Sequence, residues 1–198
     1  MDINWKTLLF LALITYGGYH TWQKRTVSYS PGVIAVADPI QTSPDTNSIF
    51  SKTSYKIEPL ADFEIEARVL AAEHYHMDKF ADLIPVDLAL GWGRMSDEAI
   101  LKDIKISQSD RFYFWHVDHF MIPREEIETH SANMHMIPAN EAVEKTLNSV
   151  RVGQVIKING YLVEAISSDG AHWRSSLTRN DTGAGACELV FVKSVSVH

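Results

Sequence analysis

The amino-acid sequence predicts an α+β protein, in which an N-terminal transmembrane helix precedes one globular domain with a small antiparallel C-terminal β-barrel, OB-like or SH3-like. Three observations predict this fold class. An uncharged apolar run lies near the N-terminus. Hydrophobic residues make up 45% of the chain and charged residues 22%, a balance typical of folded proteins. Residues 151–198 contain several short strand patterns with glycine at the bends.

The apolar run predicts a membrane anchor over residues 1–25, which would contact the membrane through residues 6–22. No charged residue occurs from Thr7 to Trp22. The run is short, because a transmembrane helix needs roughly 20 apolar residues. The helix would therefore recruit aromatic residues at both ends, where interfacial belts place them. These residues are Trp5, Tyr16, Tyr19 and Trp22.

Two other interpretations of this run stay open, namely a cleaved signal peptide and a buried core helix. A small-residue cleavage pattern does not follow the run closely, and Gly17-Gly18 would weaken a soluble helix. The signal-like position favours an uncleaved signal anchor. It predicts a single-pass protein of the bacterial inner membrane with a periplasmic domain, although Lys6 on one side and Lys24 with Arg25 on the other determine the orientation poorly.

Residues 26–54 predict a flexible spacer, because they are rich in Ser, Thr, Asp and Asn and carry Pro31, Pro39 and Pro44. The globular domain would then occupy residues 55–198. Its first strand is predicted at Phe63–Val69, where apolar and polar residues alternate with the period of a half-buried strand.

The middle of the domain combines short helices and strands. Val86, Leu88 and Leu90 predict a short buried strand, and Ser96 with two following carboxylates predicts a helix start. Residues 104–108 and 111–117 predict two strands, of which the second carries aromatic residues on both faces. Helices are predicted to begin at Pro123 and at Asn140 or Ala139.

The β-rich part, about residues 151–198, predicts the C-terminal barrel. Its strands are expected at residues 155–158, 161–166, 172–177 and 189–195. Gly160, Gly170 and the loop 182–185 separate them. Short successive strands with glycine between them are typical of small barrels.

The charge and the cysteine content exclude several classes. The net charge of −7 and the pI near 5.7 argue against nucleic acid as a partner, since phosphate binding needs clustered lysine and arginine. Cys187 is the only cysteine, which rules out an intramolecular disulfide and a cysteine-rich zinc module.

Four histidines suggest an alternative function, a membrane-tethered metal-dependent hydrolase with a divalent ion such as zinc. The candidate ligands fall in one window together with Asp118 and Glu128: His116, His119, His130 and His135. Their spacing argues against a metal site. Helical ligand pairs need separations of three or four residues, but His130 and His135 are five apart. His116 and His119 are three apart at a strand end, where this separation places them on opposite faces. The leading hypothesis therefore contains no cofactor.

Three further patterns that could carry catalysis are rejected. Asp181-Thr182-Gly183 matches the aspartic protease tripeptide but follows a polar segment and is better explained as a turn. Cys187 is better explained as a packed side chain. A triad drawn from His172, Ser175 or Ser176 and Asp181 lacks the spacing of a nucleophile elbow. No catalytic residue is predicted.

The remaining candidates are binding residues. A polar cluster near the C-terminus could bind a ligand or partner, or could be a hydrogen-bonded staple. Together with the tryptophan between two glycines it gives the predicted binding set: Trp92, Trp173, Arg174, Ser175, Ser176, Arg179, Asp181 and Glu188. The leading hypothesis is a non-catalytic binding or assembly module of the bacterial cell envelope, whose partner is another envelope protein.

Four segments resemble those of a family of small uncharacterised membrane-anchored bacterial proteins: PLADF (59–63), ALGWG (89–93), HSANMH (130–135) and DTGAGACE (181–188). The resemblance covers about residues 55–195. It implies a single anchored domain and carries over no activity, substrate or catalytic residue.

Overall fold

The computed structural model describes residues 4–23, 25–46, 48–178 and 187–198. These ranges contain four α-helices, ten β-strands and one 3₁₀ turn. The elements are, in chain order, α1 Trp5–Gln23, β1 Ile40–Thr42, β2 Phe50–Lys52, β3 Tyr55–His74, β4 Val86–Gly91, the 3₁₀ turn Gly93–Ser96, α2 Glu98–Leu101, β5 Ile104–Ser109, β6 Phe112–Val117, α3 Arg124–Thr129, β7 Ser131–Pro138, α4 Glu141–Ser149, β8 Val155–Ser167, β9 His172–Arg174 and β10 Glu188–Val197.

One mixed sheet dominates the fold, with the strand order β1-β3-β4-β7-β10-β8-β9 and β2 paired to β3. The long strand β3 also pairs with β8, from Tyr55 opposite Ser167 to Arg68 opposite Val155. The pairing path therefore returns from β8 to β3. All neighbours are antiparallel except β7 and β10, which run parallel. Strands β5 and β6 form a separate two-stranded sheet.

The alternation of apolar residues places the main core on one face of the large sheet. On β3 the side chains of Phe63, Ile65, Ala67 and Val69 are buried. They join alternate residues of the neighbouring strands and the apolar side of α4. Burying this apolar surface contributes about 25 cal/mol per Å² removed from water. The opposite face of β4 and β7 is covered by the β5–β6 hairpin and by the loop 75–85.

The predicted C-terminal barrel is wrong. Strands β8 and β10 pair with each other, but they form no closed barrel within residues 151–198, because β8 also pairs with β3 and β10 also pairs with β7. The two patterns predicted as separate strands around Gly160 form the single strand β8. Gly160 permits a close approach there, since a Cβ atom would overlap the carbonyl oxygen of Phe191. The glycine thus marks a contact between strands and not a turn.

The predicted transmembrane helix and signal anchor are also wrong. Residues 5–23 form a helix, as expected. Among the residues that the structure describes, however, no helix combines the length and the apolar content that a bilayer crossing needs. The continuous apolar run, Leu8–Ile14, covers only about 10 Å of helix at 1.5 Å per residue. Threonine, glycine and tyrosine follow it, so the run does not continue.

The predicted spacer overlaps with a segment that makes hydrogen bonds to the domain. Residues 25–46, which we call the strap, lie along the domain. The amide of Val27 donates to the carbonyl of Val152 at 2.8 Å, and that of Gly32 donates to Asp97 Oδ1 at 2.9 Å. Strand β1, near its end, pairs with β3. Backbone and side-chain acceptors of the domain thus serve as hydrogen-bond partners of the strap.

Ser96 is the main anchor of the strap. Its Oγ accepts hydrogen bonds from the amides of Ile34 and Ala35 at 3.1 and 3.0 Å and donates to the carbonyl of Gly93 at 2.7 Å. Sequence patterns predict Ser96 as a helix cap, but Asp97 caps α2 by accepting from the amide of Ala99. The hydroxyl of Ser96 therefore binds a distant segment and not the adjacent helix.

Candidate functional site

Trp92, the first predicted binding residue, is buried in the main core. Only 1% of its surface is exposed, and its Nε1 donates to Asp38 Oδ1 of the strap at 3.1 Å. Its backbone amide donates to the carbonyl of His130 at 3.0 Å. An indole in this position stabilises the packing of the strap on the domain and presents no surface to a partner.

The C-terminal part of the predicted set divides into four groups. Arg179 and Asp181 lie outside the described residues, as does the tripeptide 181–183. Arg174 lies on the surface, where its Nη1 donates to Glu164 Oε2 at 2.6 Å. Trp173 is half-buried and packs edge-on against the His135 ring, with 4.6 Å between centroids.

Ser175, Ser176 and Glu188 are buried near strands β8 and β10. The amide of Ser175 donates to the carbonyl of Val163, and that of Leu189 donates to Ser175 Oγ at 3.1 Å. The amide of Ser176 donates to the carbonyl of Cys187. These bonds join the two strands, so the geometry favours the staple interpretation over a binding loop.

The four candidate metal ligands lie in different surroundings. His116 is exposed on β6 near Asp118, and His119 is exposed in the loop that follows. His130 contacts the Trp92 ring at the end of α3, and His135 is buried on β7 beside Asp87. Within the described ranges, no group of three or more histidine, cysteine, aspartate or glutamate side chains could hold a metal ion.

The β5–β6 hairpin carries an exposed aromatic surface. Its residues alternate, so one face points to the domain and the other to solvent. We call the outer side, formed by Lys105, Ser107, Ser109, Phe112, Phe114 and His116, the hairpin face. Phe112 is 46% exposed and Phe114 51%, and their ring centroids lie 6.5 Å apart. Each ring stands opposite a serine on β5, which leaves it uncovered.

The inner face of the hairpin fixes it to the domain. Ile104 is buried together with residues of β3, β4 and α3. Tyr113 also packs here, and its hydroxyl lies 3.1 Å from Ser131 Oγ. Burial raises the pKa of Tyr113 to about 12. The two faces of β6 therefore differ in burial, although both carry aromatic side chains.

An ionic cluster fixes the turn of the hairpin. Arg111, at a φ of +69°, points into the domain, where its Nη1 donates to Asp87 Oδ1 at 3.1 Å and to the carbonyl of Ile84 at 3.0 Å. Its Nη2 donates to both carboxylate oxygens of Asp78. His135 Nδ1 lies 2.9 Å from the same Asp87 oxygen, although without the alignment of a hydrogen bond. We call Asp78, Asp87, Arg111 and His135 the ionic pin.

The charges beside the hairpin face balance locally. Asp118 Oδ2 lies 3.5 Å from Lys105 Nζ, and its Oδ1 lies 3.3 Å from His116 Nε2. The hydrogen bond from His116 and the charge of Lys105 hold the pKa of Asp118 below its usual value. In a chain of net charge −7, this face therefore carries little net charge around its two phenylalanines.

Comparison with known proteins gives no assignment: no family model, curated protein or solved structure matches the chain. The membrane-anchored family stays a resemblance of short segments. Any function must accordingly be argued from the geometry of the domain.

The hairpin face was absent from the predicted binding set, although the sequence contains its signal. Aromatic residues on both faces of a strand mean that one aromatic row stays exposed unless a second layer covers it. In this chain the domain covers only the row of Tyr113 and Trp115. The predicted strands at 104–108 and 111–117 agree with β5 and β6, so the missing information was which face the domain buries.

Proposed function

We propose that this protein is a non-catalytic binding module, which takes up a protein partner on the hairpin face. The observation that supports this proposal is the pair of exposed rings, Phe112 and Phe114, on a hairpin anchored by its inner face and by Arg111. Exposed aromatic side chains on a rigid support provide contact area at a low cost in conformational entropy.

The partner should present an uncharged apolar segment. Asp118 balances the charge of Lys105, so the hairpin face offers no uncompensated lysine, arginine or carboxylate charge to attract an acidic or basic ligand. Ser107 and Ser109 are small and leave space beside the two rings. Aromatic and aliphatic side chains of a partner would fill this space and remove the rings from water.

The partner can be identified by crosslinking and then measured with purified proteins. A photoreactive phenylalanine analogue at position 114 should form a crosslink to one protein in cells. In a titration with that purified protein, the F112S/F114S double variant should bind at least about tenfold more weakly, since hot-spot aromatics contribute about 2 kcal/mol or more.

Met77→Ser serves as the matched control, because Met77 is 98% exposed and lies in a different loop. It should bind like the wild type. Equal affinity of the double variant and the wild type would contradict the proposal, as would a crosslink from position 114 to a second copy of the chain. Urea unfolding should give the same stability for both variants within about 0.5 kcal/mol, as expected for surface substitutions.

A further inference from the structure

The interface between the hairpin and the large sheet contains polar atoms that are buried without hydrogen-bond partners. Among the described residues, Asp87 Oδ2, Gln108 Oε1 and Arg111 Nε are buried and receive or donate no hydrogen bond. The same holds for His135 Nδ1, which lies 2.9 Å from Asp87 Oδ1. Buried polar atoms in folded proteins are nearly always paired, with protein groups or with ordered water.

These atoms belong to one connected group. Arg111 Nη1 donates to Asp87 Oδ1, the other oxygen of that carboxylate, and His135 lies beside the same atom. Gln108 Nε2 donates to Asn133 Oδ1 at 2.6 Å, and Asn133 Nδ2 donates to the carbonyl of Arg111 at 3.0 Å. Asn133 thus links the side chain of Gln108 to the backbone of Arg111, whose guanidinium binds Asp87.

The chemistry of these atoms selects the ligand. Two of them are acceptors, a carboxylate and an amide oxygen, whereas Arg111 Nε–H is a donor. A metal cation would match the two oxygens but would lie beside a guanidinium of the same charge. An anion would match the guanidinium but would meet the Asp87 carboxylate. A water molecule donates twice and accepts, so it matches all three atoms.

We propose that one internal water molecule binds between the hairpin and the large sheet, donating to Asp87 Oδ2 and Gln108 Oε1 and accepting from Arg111 Nε. This water supplies the missing hydrogen bonds of Asp87 and Arg111 in the ionic pin and joins β4, β5 and the hairpin turn through one molecule. The proposal is independent of the proposed function, since it concerns the buried side of the hairpin.

A crystal structure of the full chain, at a resolution that shows ordered water, tests the proposal directly. It should show one density peak about 3 Å from each of the three atoms. In solution NMR, the Arg111 Nε proton should show direct rotating-frame cross-relaxation with water. This signal has the opposite sign to a signal from chemical exchange. Arg94 Nε is the control, because it is bonded to Glu126 Oε1 on the surface and should show exchange alone.

Three results would overturn the proposal. One is a site without density in crystals whose ionic pin is otherwise intact. Another is a direct hydrogen bond from Arg111 Nε to Gln108 Oε1, which would leave no room for water. The third is a peak at about 2.4 Å or less from several oxygens, which would identify a metal ion. If crystals do not form, the absence of the direct cross-relaxation signal at Arg111 Nε would also overturn the proposal.

Discussion

The carbonyl oxygen of Val27 occupies the position that a side chain at Gly153 would need. Gly153 has a φ of +90°, and a Cβ atom there would overlap the backbone of Val27. The amide of Val27 donates to the carbonyl of Val152 beside it. The strap can therefore lie against the β8 end of the domain only because residue 153 has no side chain.

Gly153→Ala should destabilise the protein and release the start of the strap. A positive φ costs an alanine about 1 kcal/mol, and the overlap with Val27 should add about 1–3 kcal/mol. Urea unfolding measures the sum, and faster cleavage after Arg25 by trypsin reports the release. Gly170→Ala is the control, because Gly170 has a φ of +85° but open space around it. Equal losses of unfolding free energy for the two variants would show that the strap contact contributes nothing to stability.

Arg111→Leu should cost about 3–5 kcal/mol, since it leaves the buried Asp87 carboxylate without its guanidinium partner. Hydrogen exchange at β6 should accelerate, because the hairpin turn loses its anchor. The matched variant Arg124→Leu removes an arginine whose partner is Glu128 at the surface, and it should cost under about 1 kcal/mol. If both variants lose the same small amount, the ionic pin is not a stabilising feature.

Acid should release the loop that carries Asp78. Burial raises the pKa of Asp78, but hydrogen bonds from Arg111 and from backbone amides outweigh this effect, so its pKa lies below the usual value. The stabilisation is therefore present above about pH 4 and is lost as the pH falls further through the folded-state pKa. Hydrogen exchange of the loop 75–85 should rise between about pH 4 and pH 2. In Asp78→Asn the loop should already exchange faster at neutral pH, and its pH dependence should be weaker.

Alkaline pH should destabilise the packing of the hairpin through Tyr113. Its raised pKa, about 12, means that the neutral phenol stabilises the fold below the unfolded value near 10, and that this stabilisation is lost as the pH rises toward 12. The Tyr113→Phe variant should lose less stability than the wild type between pH 9.5 and 11.5, as measured by urea unfolding. At pH 7 it should cost about 1 kcal/mol, the contribution of one hydrogen bond. Parallel alkaline curves for the two proteins would contradict this assignment.

Local patterns in the sequence predicted several elements correctly. Asn140 caps α4 by accepting a hydrogen bond from the amide of Val143, and Pro123 precedes α3 as expected. The alternation in Phe63–Val69 agrees with a buried face of β3. These features depend on residues within one or two turns of each other, so the sequence carries the information directly.

The predicted binding set relied on residue type and proximity along the chain. Trp92 was predicted to bind a partner, yet it is buried and its Nε1 donates to Asp38 of the strap. The histidines at 116, 119, 130 and 135 are close in sequence, but the chain distributes them over a hairpin strand, a loop, a helix end and a buried strand. Proximity in sequence therefore does not indicate a shared site.

The sequence by itself determined that 104–108 and 111–117 form strands, that helices begin near Pro123 and Asn140, and that β6 is aromatic on both sides. Only the tertiary structure decided that β10 lies parallel to β7, that the strap is fixed to the domain, and that Phe112 and Phe114 face solvent. The physical reason is that a period of two determines which residues share a face of a strand, but not which strand pairs with it or which face is covered. Those choices depend on contacts between residues far apart in the chain, such as Arg111 with Asp87 and Val27 with Gly153.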